Sequence, residues 1–315
     1  MIEVQNLRKV FDGFVAVEDI SLTVQEGEVL AVLGPNGAGK TTTVRMMTSI
    51  LKPTSGICRI AGYDVIKQAA QVRASVGVLT EQHGLYERMK ALEYLDFFGQ
   101  IYRIDKHVLR RNAMALMERF DLAEAVDRRI GDYSKGMKQK LSLVRALIHN
   151  PPVLLLDEPT SAMDPQSAKL VRDAIIELQK DRRTFLITTH NLTEAQSLAN
   201  QIAILRRGRI VAKGTFEELR RRFVGDPLME LRVNGSLNGA TEAAAGVVRV
   251  TESGENWLRF VTRQPERDNP ALLSTLAGLN IEVVTLAPVS QTLEDVYLNV
   301  VKEDEANELS RTTSA

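Results

Sequence analysis

Gly34-Pro35-Asn36-Gly37-Ala38-Gly39-Lys40-Thr41 decides the fold of this chain. The octet has the spacing G-x-x-x-x-G-K-[ST], a loop whose backbone N–H groups curl around phosphate oxygens. Before it stands Val29-Leu30-Ala31-Val32-Leu33, apolar at every position, as a strand buried on both faces of a parallel sheet must be. After it, residues 40–49 read as a helix, whose N-terminus adds partial positive charge to the loop. The spacing predicts that Lys40 reaches β and γ phosphates and that the Thr41 hydroxyl ligates Mg²⁺.

Further along, Val153-Leu154-Leu155-Leu156 is a second buried-strand run and ends in Asp157-Glu158. A carboxylate at that tip suits Mg²⁺ (Asp157), and the next residue can polarise water (Glu158). Thr184–Thr188 is a third such strand, and His190 stands just past it, at the end where parallel sheets place their ligands. A helix over 165–179 lies between these strands. The alternation predicts an α/β core with a mostly parallel sheet, and residues of about 85–150 read as an inserted helical subdomain.

Composition narrows the class. The 315 residues are 44% hydrophobic and 25% charged, as in soluble globular proteins. Lys plus Arg is 40 and Asp plus Glu is 40, so general binding to nucleic acid is not expected. One cysteine, Cys58, excludes an internal disulfide and a cysteine-ligated zinc, and reads as a small buried hydrophobe. No apolar run reaches the roughly 18–20 residues of a membrane span, and Met1-Ile2-Glu3-Val4-Gln5 does not open a signal peptide. A cytoplasmic protein that meets a membrane through a partner is expected.

Tyr133-Ser134-Lys135-Gly136-Met137-Lys138-Gln139-Lys140, shortly before the second buried strand, narrows the choice among nucleoside triphosphatases. It stands where the signature L-S-G-G-Q stands in ATP-binding subunits of ABC transporters, and the chain resembles that family over about residues 2–222. Ser134 and Gly136 match the signature. Lys135 and Met137 resemble its variant in exporters of the drug-resistance and sodium-efflux type. The resemblance implies ATP and Mg²⁺ as cofactors. It implies nucleotide contacts from Phe11 (stacking on adenine), Val17, Gly34, Pro35, Asn36, Gly37, Ala38, Gly39, Lys40, Thr41, Thr42, Ser134, Gly136 and, in Ser161-Ala162-Met163-Asp164, Asp164. Lys40, Glu158 and His190 become the catalytic set, and Thr41, Asp157 and either Glu81 or Gln82 the metal set. The family has a glutamine where this chain has Glu81-Gln82.

The resemblance also implies partners. Two subunits, alike or different, would face head to tail, each ATP lying between the phosphate loop of one and Ser134 and Gly136 of the other. The helical subdomain and residues 83–88 would meet a permease carried on a separate chain, at the cytoplasmic face of the membrane. A non-transport ATPase on the same cassette, or a regulatory nucleotide-binding module, are the alternatives.

Past residue 227 short strands reappear: 228–233, 247–251, 257–262 and 281–286, with helical signals at 240–245 and 270–279. The order β-α-β-β-α-β predicts a small α+β, ferredoxin-like domain over 228–303, with Trp257 in its core and a flexible tail from 304 to 315. Gln291-Thr292-Leu293-Glu294-Asp295-Val296-Tyr297-Leu298 resembles the closing motif of exporter subunits with such a domain. The run Arg206, Arg207, Arg209, Lys213, Arg220, Arg221 and Arg222 reads either as a solvated hairpin and helix face or as contact with anionic headgroups or an acidic partner.

Overall fold

The first unit, Met1–Phe216, is built on one ten-stranded sheet. The structure is a computed structural model describing residues 1–80, 84–161, 163–237 and 239–313. In chain order the unit runs β1 (Ile2–Phe11), β2 (Phe14–Val24), β3 (Val29–Leu33), α1 (Lys40–Met47), β4 (Ser55–Ile60), β5 (Tyr63–Asp64), α2 (Ala69–Ser75) and β6 (Val76–Leu79). Then come α3 (Ala91–Ile101), α4 (Lys106–Arg119), α5 (Lys135–Leu147), β7 (Val153–Asp157), α6 (Pro165–Gln179), β8 (Thr184–Thr189), α7 (Leu192–Leu198), β9 (Gln201–Arg206) and β10 (Arg209–Gly214).

The sheet order is β5-β4-β1-β2-β10-β9-β3-β8-β7-β6. From β9 to β6 every neighbouring pair is parallel. The β5-β4-β1-β2 part is antiparallel. The α/β cassette expected from the sequence is thus present. Strands β3, β7 and β8 are buried at every residue. Their side chains alternate between two cores. Leu154, Leu156, Phe185 and Ile187 join Leu141, Val144 and the helical residues Tyr94, Leu109 and Met117. Leu155, Leu186, Leu30 and Val32 join Val44, Met46 and the β1–β2 residues Val4 and Ile20. A strand clad on both faces shows no period-two polarity, which is why its run is uniformly apolar. Burial pushes the Cys58 thiol up to about 12, so it behaves as an unreactive hydrophobe.

The helical subdomain is fastened to the sheet through α5. At Gly77 in β6 an added Cβ would lie 2.2 Å from Ala146 O, so only glycine lets this helix approach. Just past α5, His149 Nε2 bonds Val76 O at 3.0 Å and the ring stacks on Tyr102 at 3.9 Å. Burial lowers the His149 pKa from 6.5 to about 4. Between those values the unfolded chain takes up a proton that the folded chain refuses. Stability is therefore whole above about pH 6.5 and is lost as pH falls towards 4. We expect urea unfolding to show a loss of about 2 kcal/mol from this group between pH 7 and pH 5. In His149→Gln, which does not titrate, that part of the loss should vanish. An unchanged pH dependence in the variant would contradict the assignment.

The second unit, Glu217–Ala315, is described by itself. It includes α8 (Phe216–Phe223), β11 (Leu228–Val233), α9 (Ala240–Ala245), β12 (Arg249–Ser253), β13 (Trp257–Val261), α10 (Pro265–Gly278), β14 (Val283–Pro288) and α11 (Leu293–Thr313). The sheet order β12-β13-β11-β14 with antiparallel pairing is the ferredoxin-like arrangement. Leu231, Leu258 and Phe260 pack against Ala244 of α9 and Leu272 and Leu276 of α10.

Three sequence expectations change here. Trp257 is not in the core: period-two alternation puts Leu258 and Phe260 inside and Trp257 on the other face, under the Arg259 guanidinium at 5.0 Å. Helix α10 starts at Pro265, not Pro270; the first proline occupies the opening position and the second lies within the helix. The stretch 304–313, expected as a flexible tail, continues α11, in keeping with its helix formers Glu305, Ala306, Glu308 and Leu309. Of the arginine run, Arg220 bonds Glu217 and Gln291, and Arg222 lies over Phe223.

Candidate active site

Neighbouring parallel strands bring the expected residues to one end of the sheet. Leu33 of β3 pairs with Thr189 of β8, and Thr188 with Asp157 of β7. The carboxyl ends of these three strands therefore carry the Gly34 loop, the Asp157-Glu158 pair and His190 side by side. The loop is anchored by its own backbone: Gly34 N donates to Thr189 O at 3.2 Å and Gly208 N to Ala38 O at 3.0 Å. Gly39 caps α1 with φ 105°. An added Cβ there would meet Ala16 O at 2.7 Å, and one on Gly34 would meet Leu205 O at 2.4 Å.

Lys40 is buried and bends back into the loop. Its Nζ donates to Gly34 O at 2.7 Å and Pro35 O at 3.3 Å, and lies 3.0 Å from Glu158 Oε1. That oxygen is buried yet makes no hydrogen bond of good geometry, so the Lys40 contact is chiefly Coulombic. The other oxygen, Oε2, sits 2.8 Å from His190 Nδ1. A carboxylate only accepts, so Nδ1 carries the proton and Nε2 is left to a ligand. Glu158 itself has φ 51°, the left-handed region that a side chain with Cβ disfavours. Strain of this kind gathers at working residues.

A cavity of about 280 Å³ is lined by Phe14, Ala16, Pro35, Asn36, Gly37, Gly39, Lys40, Thr41, Thr42, Glu158, Ser161 and His190. Lysine, histidine and loop amides on one wall form a seat for polyphosphate. Beside it a second cavity, about 310 Å³, has Thr41 and Asp157 among its walls. The Thr188 hydroxyl donates to Asp157 Oδ1 and orients that carboxylate. A hydroxyl and a carboxylate are hard oxygen donors, and Mg²⁺ takes one or two such protein ligands plus phosphates, so the residues fit this ion. Among the described residues no cluster of three or more His, Cys, Asp or Glu offers an all-protein metal cage.

Several expected residues stand elsewhere. Phe11 pairs across the β1–β2 hairpin with Phe14, and it is Phe14 that lines the cavity; Lys9 Nζ lies 4.7 Å over the Phe11 ring. Val17 is fully buried behind the loop, against Gly39. Ser134 caps α5, accepting from Met137 N at 3.2 Å, and Gly136 packs towards Ser167. Neither lines the cavity of this chain. Asp164 caps α6 by accepting from Ser167 N at 3.0 Å. Glu81 and Gln82 lie outside the described residues. Phe14 stands directly across the tight Asp12-Gly13 turn from Phe11.

The sequence profile of the family described as ABC transporter matches residues 17–161, and that of the ATP-binding protein DrrA1-3-like C-terminal domain matches residues 214–301. The daunorubicin resistance ATP-binding protein DrrA3 of Streptomyces coeruleorubidus is 35% identical over 308 residues, 96% of either chain. This chain belongs to the ATP-binding subunits of ABC transporters. The ABC transporter ATP-binding protein NatA of Bacillus subtilis (strain 168) is 40% identical over 205 residues, 65% of this chain and 83% of NatA. A solved ATP-binding subunit of an ABC transporter superposes with a TM-score of 0.65 at 30% identity, covering 71% of this chain and 94% of its own. The cassette is thus a nucleotide-binding ATPase of the ABC family. Among the described residues no helix is long and apolar enough to cross a membrane.

Proposed function

We propose that this ABC ATPase drives a separate membrane permease for export, acting from the cytoplasmic face as one of a pair of ATP-binding subunits. The observation that carries the reading is the second unit. Its ferredoxin-like order and its match to the DrrA1-3-like C-terminal domain accompany similarity along the whole chain to a protein named for daunorubicin resistance.

Each residue then has a task. The loop amides and Lys40 hold the β and γ phosphates; on nucleotide binding Lys40 exchanges its carbonyl partners for phosphate oxygens. Phe14, with Phe11 at the hairpin edge, offers an apolar wall for the base. Glu158 orients and deprotonates water, and His190 holds Glu158 through Nδ1. Thr41 and Asp157, with Glu81 or Gln82, would hold Mg²⁺, which would neutralise charge on the phosphate oxygens. Ser134 is exposed at the N-terminus of the 13-residue helix α5 and does not line the chain's own cavity. Such an end attracts anions, which supports its closing the partner subunit's site.

Tagged chain purified from gently solubilised membranes of its host should carry a multi-span membrane protein at near-equal amounts. Recovery with ribosomes or DNA and no membrane protein would overturn the export reading in favour of a non-transport ATPase.

A further inference from the structure

Among the described residues the buried carboxyl side chains are Asp157, Glu158 and Glu194. The chemistry above uses the first two. Glu194 is 1% exposed, in α7, four residues past His190. Its backbone is placed by Asn191, whose Oδ1 accepts from Glu194 N at 3.1 Å, while Asn191 N donates to Thr189 Oγ1 at 3.0 Å. Its side chain turns inward. The Thr160 hydroxyl donates to Glu194 Oε1 at 2.7 Å, with both groups buried, while the start of α7 is tied to Thr189 through Asn191.

Those two threonines sit where the reaction needs rigidity. Thr160 is two residues beyond Glu158, and Thr189 is immediately before His190. The turn through Glu158 is the strained one, at φ 51°. A left-handed residue stays put only if its surroundings fix it. The turn is held on one side by Gln139 of α5, whose Nε2 donates to Pro159 O at 2.5 Å. On the other side stands Glu194.

We propose that Glu194 is a positioning residue: by binding Thr160 from α7, whose start is tied to Thr189 through Asn191, it holds the Glu158 turn and the His190 segment in register, and so keeps the Glu158–His190 pair aligned for hydrolysis. The inference rests on Glu158 and His190 being the working pair. Burial raises the Glu194 pKa, Glu158 adding to the effect, while Thr189, Thr160 and Arg172 oppose it. A group in that setting works by hydrogen bonding at fixed distance rather than as a free charge.

The test uses the full chain and steady-state ATP turnover. Glu194→Ala is expected to lower kcat about 10- to 100-fold, with KM for ATP changed less than about two-fold, because alignment rather than nucleotide contact is lost. Glu194→Gln keeps an acceptor for Thr160 and should restore kcat to within about three-fold of wild type. Thr160→Val removes the hydroxyl at nearly constant volume and should reproduce the fall. The double variant should be no slower than the slower single one, since both remove one contact. Wild-type kcat in Glu194→Ala or Thr160→Val overturns the inference, as does a loss in Glu194→Gln equal to that in Glu194→Ala. Should Glu194→Ala not fold, Thr160→Val and Glu194→Gln decide alone. Glu158→Gln run in parallel separates the two ideas: wild-type turnover there removes the underlying pair, whereas slow Glu158→Gln beside fast Thr160→Val removes only Glu194.

Discussion

Glu158→Gln is expected to bind ATP and to hydrolyse it about 10²- to 10⁴-fold more slowly than wild type, the range that a positioned general base contributes. The substitution keeps the shape of the side chain and removes its charge. Glu158 Oε1 then no longer attracts Lys40 across 3.0 Å, and the amine is freer to meet phosphate. Its other atom no longer accepts from His190 Nδ1 with the strength of a carboxylate. Binding should therefore hold or tighten while chemistry stalls. Nucleotide affinity by fluorescence and single-turnover hydrolysis together check this. Wild-type hydrolysis would remove Glu158 from the reaction.

Gly39→Ala should weaken ATP binding at least about 100-fold, equivalent to about 3 kcal/mol. Two effects add. At φ 105° an L-residue is strained whatever the space around it, and the new Cβ would stand 2.7 Å from Ala16 O, a backbone atom that cannot swing aside. The loop must shift to relieve the clash, and its amides leave the positions that cradle phosphate. Gly37→Ala is the matched control. Gly37 also has positive φ, but nothing lies within 4 Å of its added Cβ, so only the strain of about 1 kcal/mol remains, roughly five-fold in affinity. Equilibrium titration with ATP should separate the two by about a decade or more. Equal affinities would mean that packing behind Gly39 does not shape the nucleotide seat.

Which parts were legible follows from what each residue faces. Strands β3, β7 and β8 are clad on both sides, and their apolar runs cannot be mistaken for surface. The phosphate loop carries its geometry in its glycines. Strand β1 was hidden because its pairing with β2 shifts register between Val4 and Leu7, Leu7 and Lys9, and Lys9 and Val10, which scrambles the alternation. Phe11 drew notice as an aromatic at a motif position, but the hairpin turns Phe14 to the cavity, and only three-dimensional pairing tells the two apart. Trp257 was read by its size, whereas its place in the period-two pattern sets its face. Glu194 is not singled out by sequence: a glutamate in the first turn of a helix is ordinary, and its contact with Thr160 joins two loops that follow separate strands.

In the ferredoxin-like unit β11 pairs antiparallel with β14, and Val289 N donates to Leu228 O at 2.8 Å. The chain thus enters and leaves this sheet at one point. Its flanks already touch without it: Arg220 of α8 reaches Gln291 Oε1 at 2.6 Å, and Asn299 of α11 donates to Phe223 O at 2.9 Å. Topologically, residues 228–289 are a module inserted between α8 and α11. Excision at its neck would leave ends that a short turn could rejoin, with the Arg220–Gln291 and Asn299–Phe223 contacts still in place.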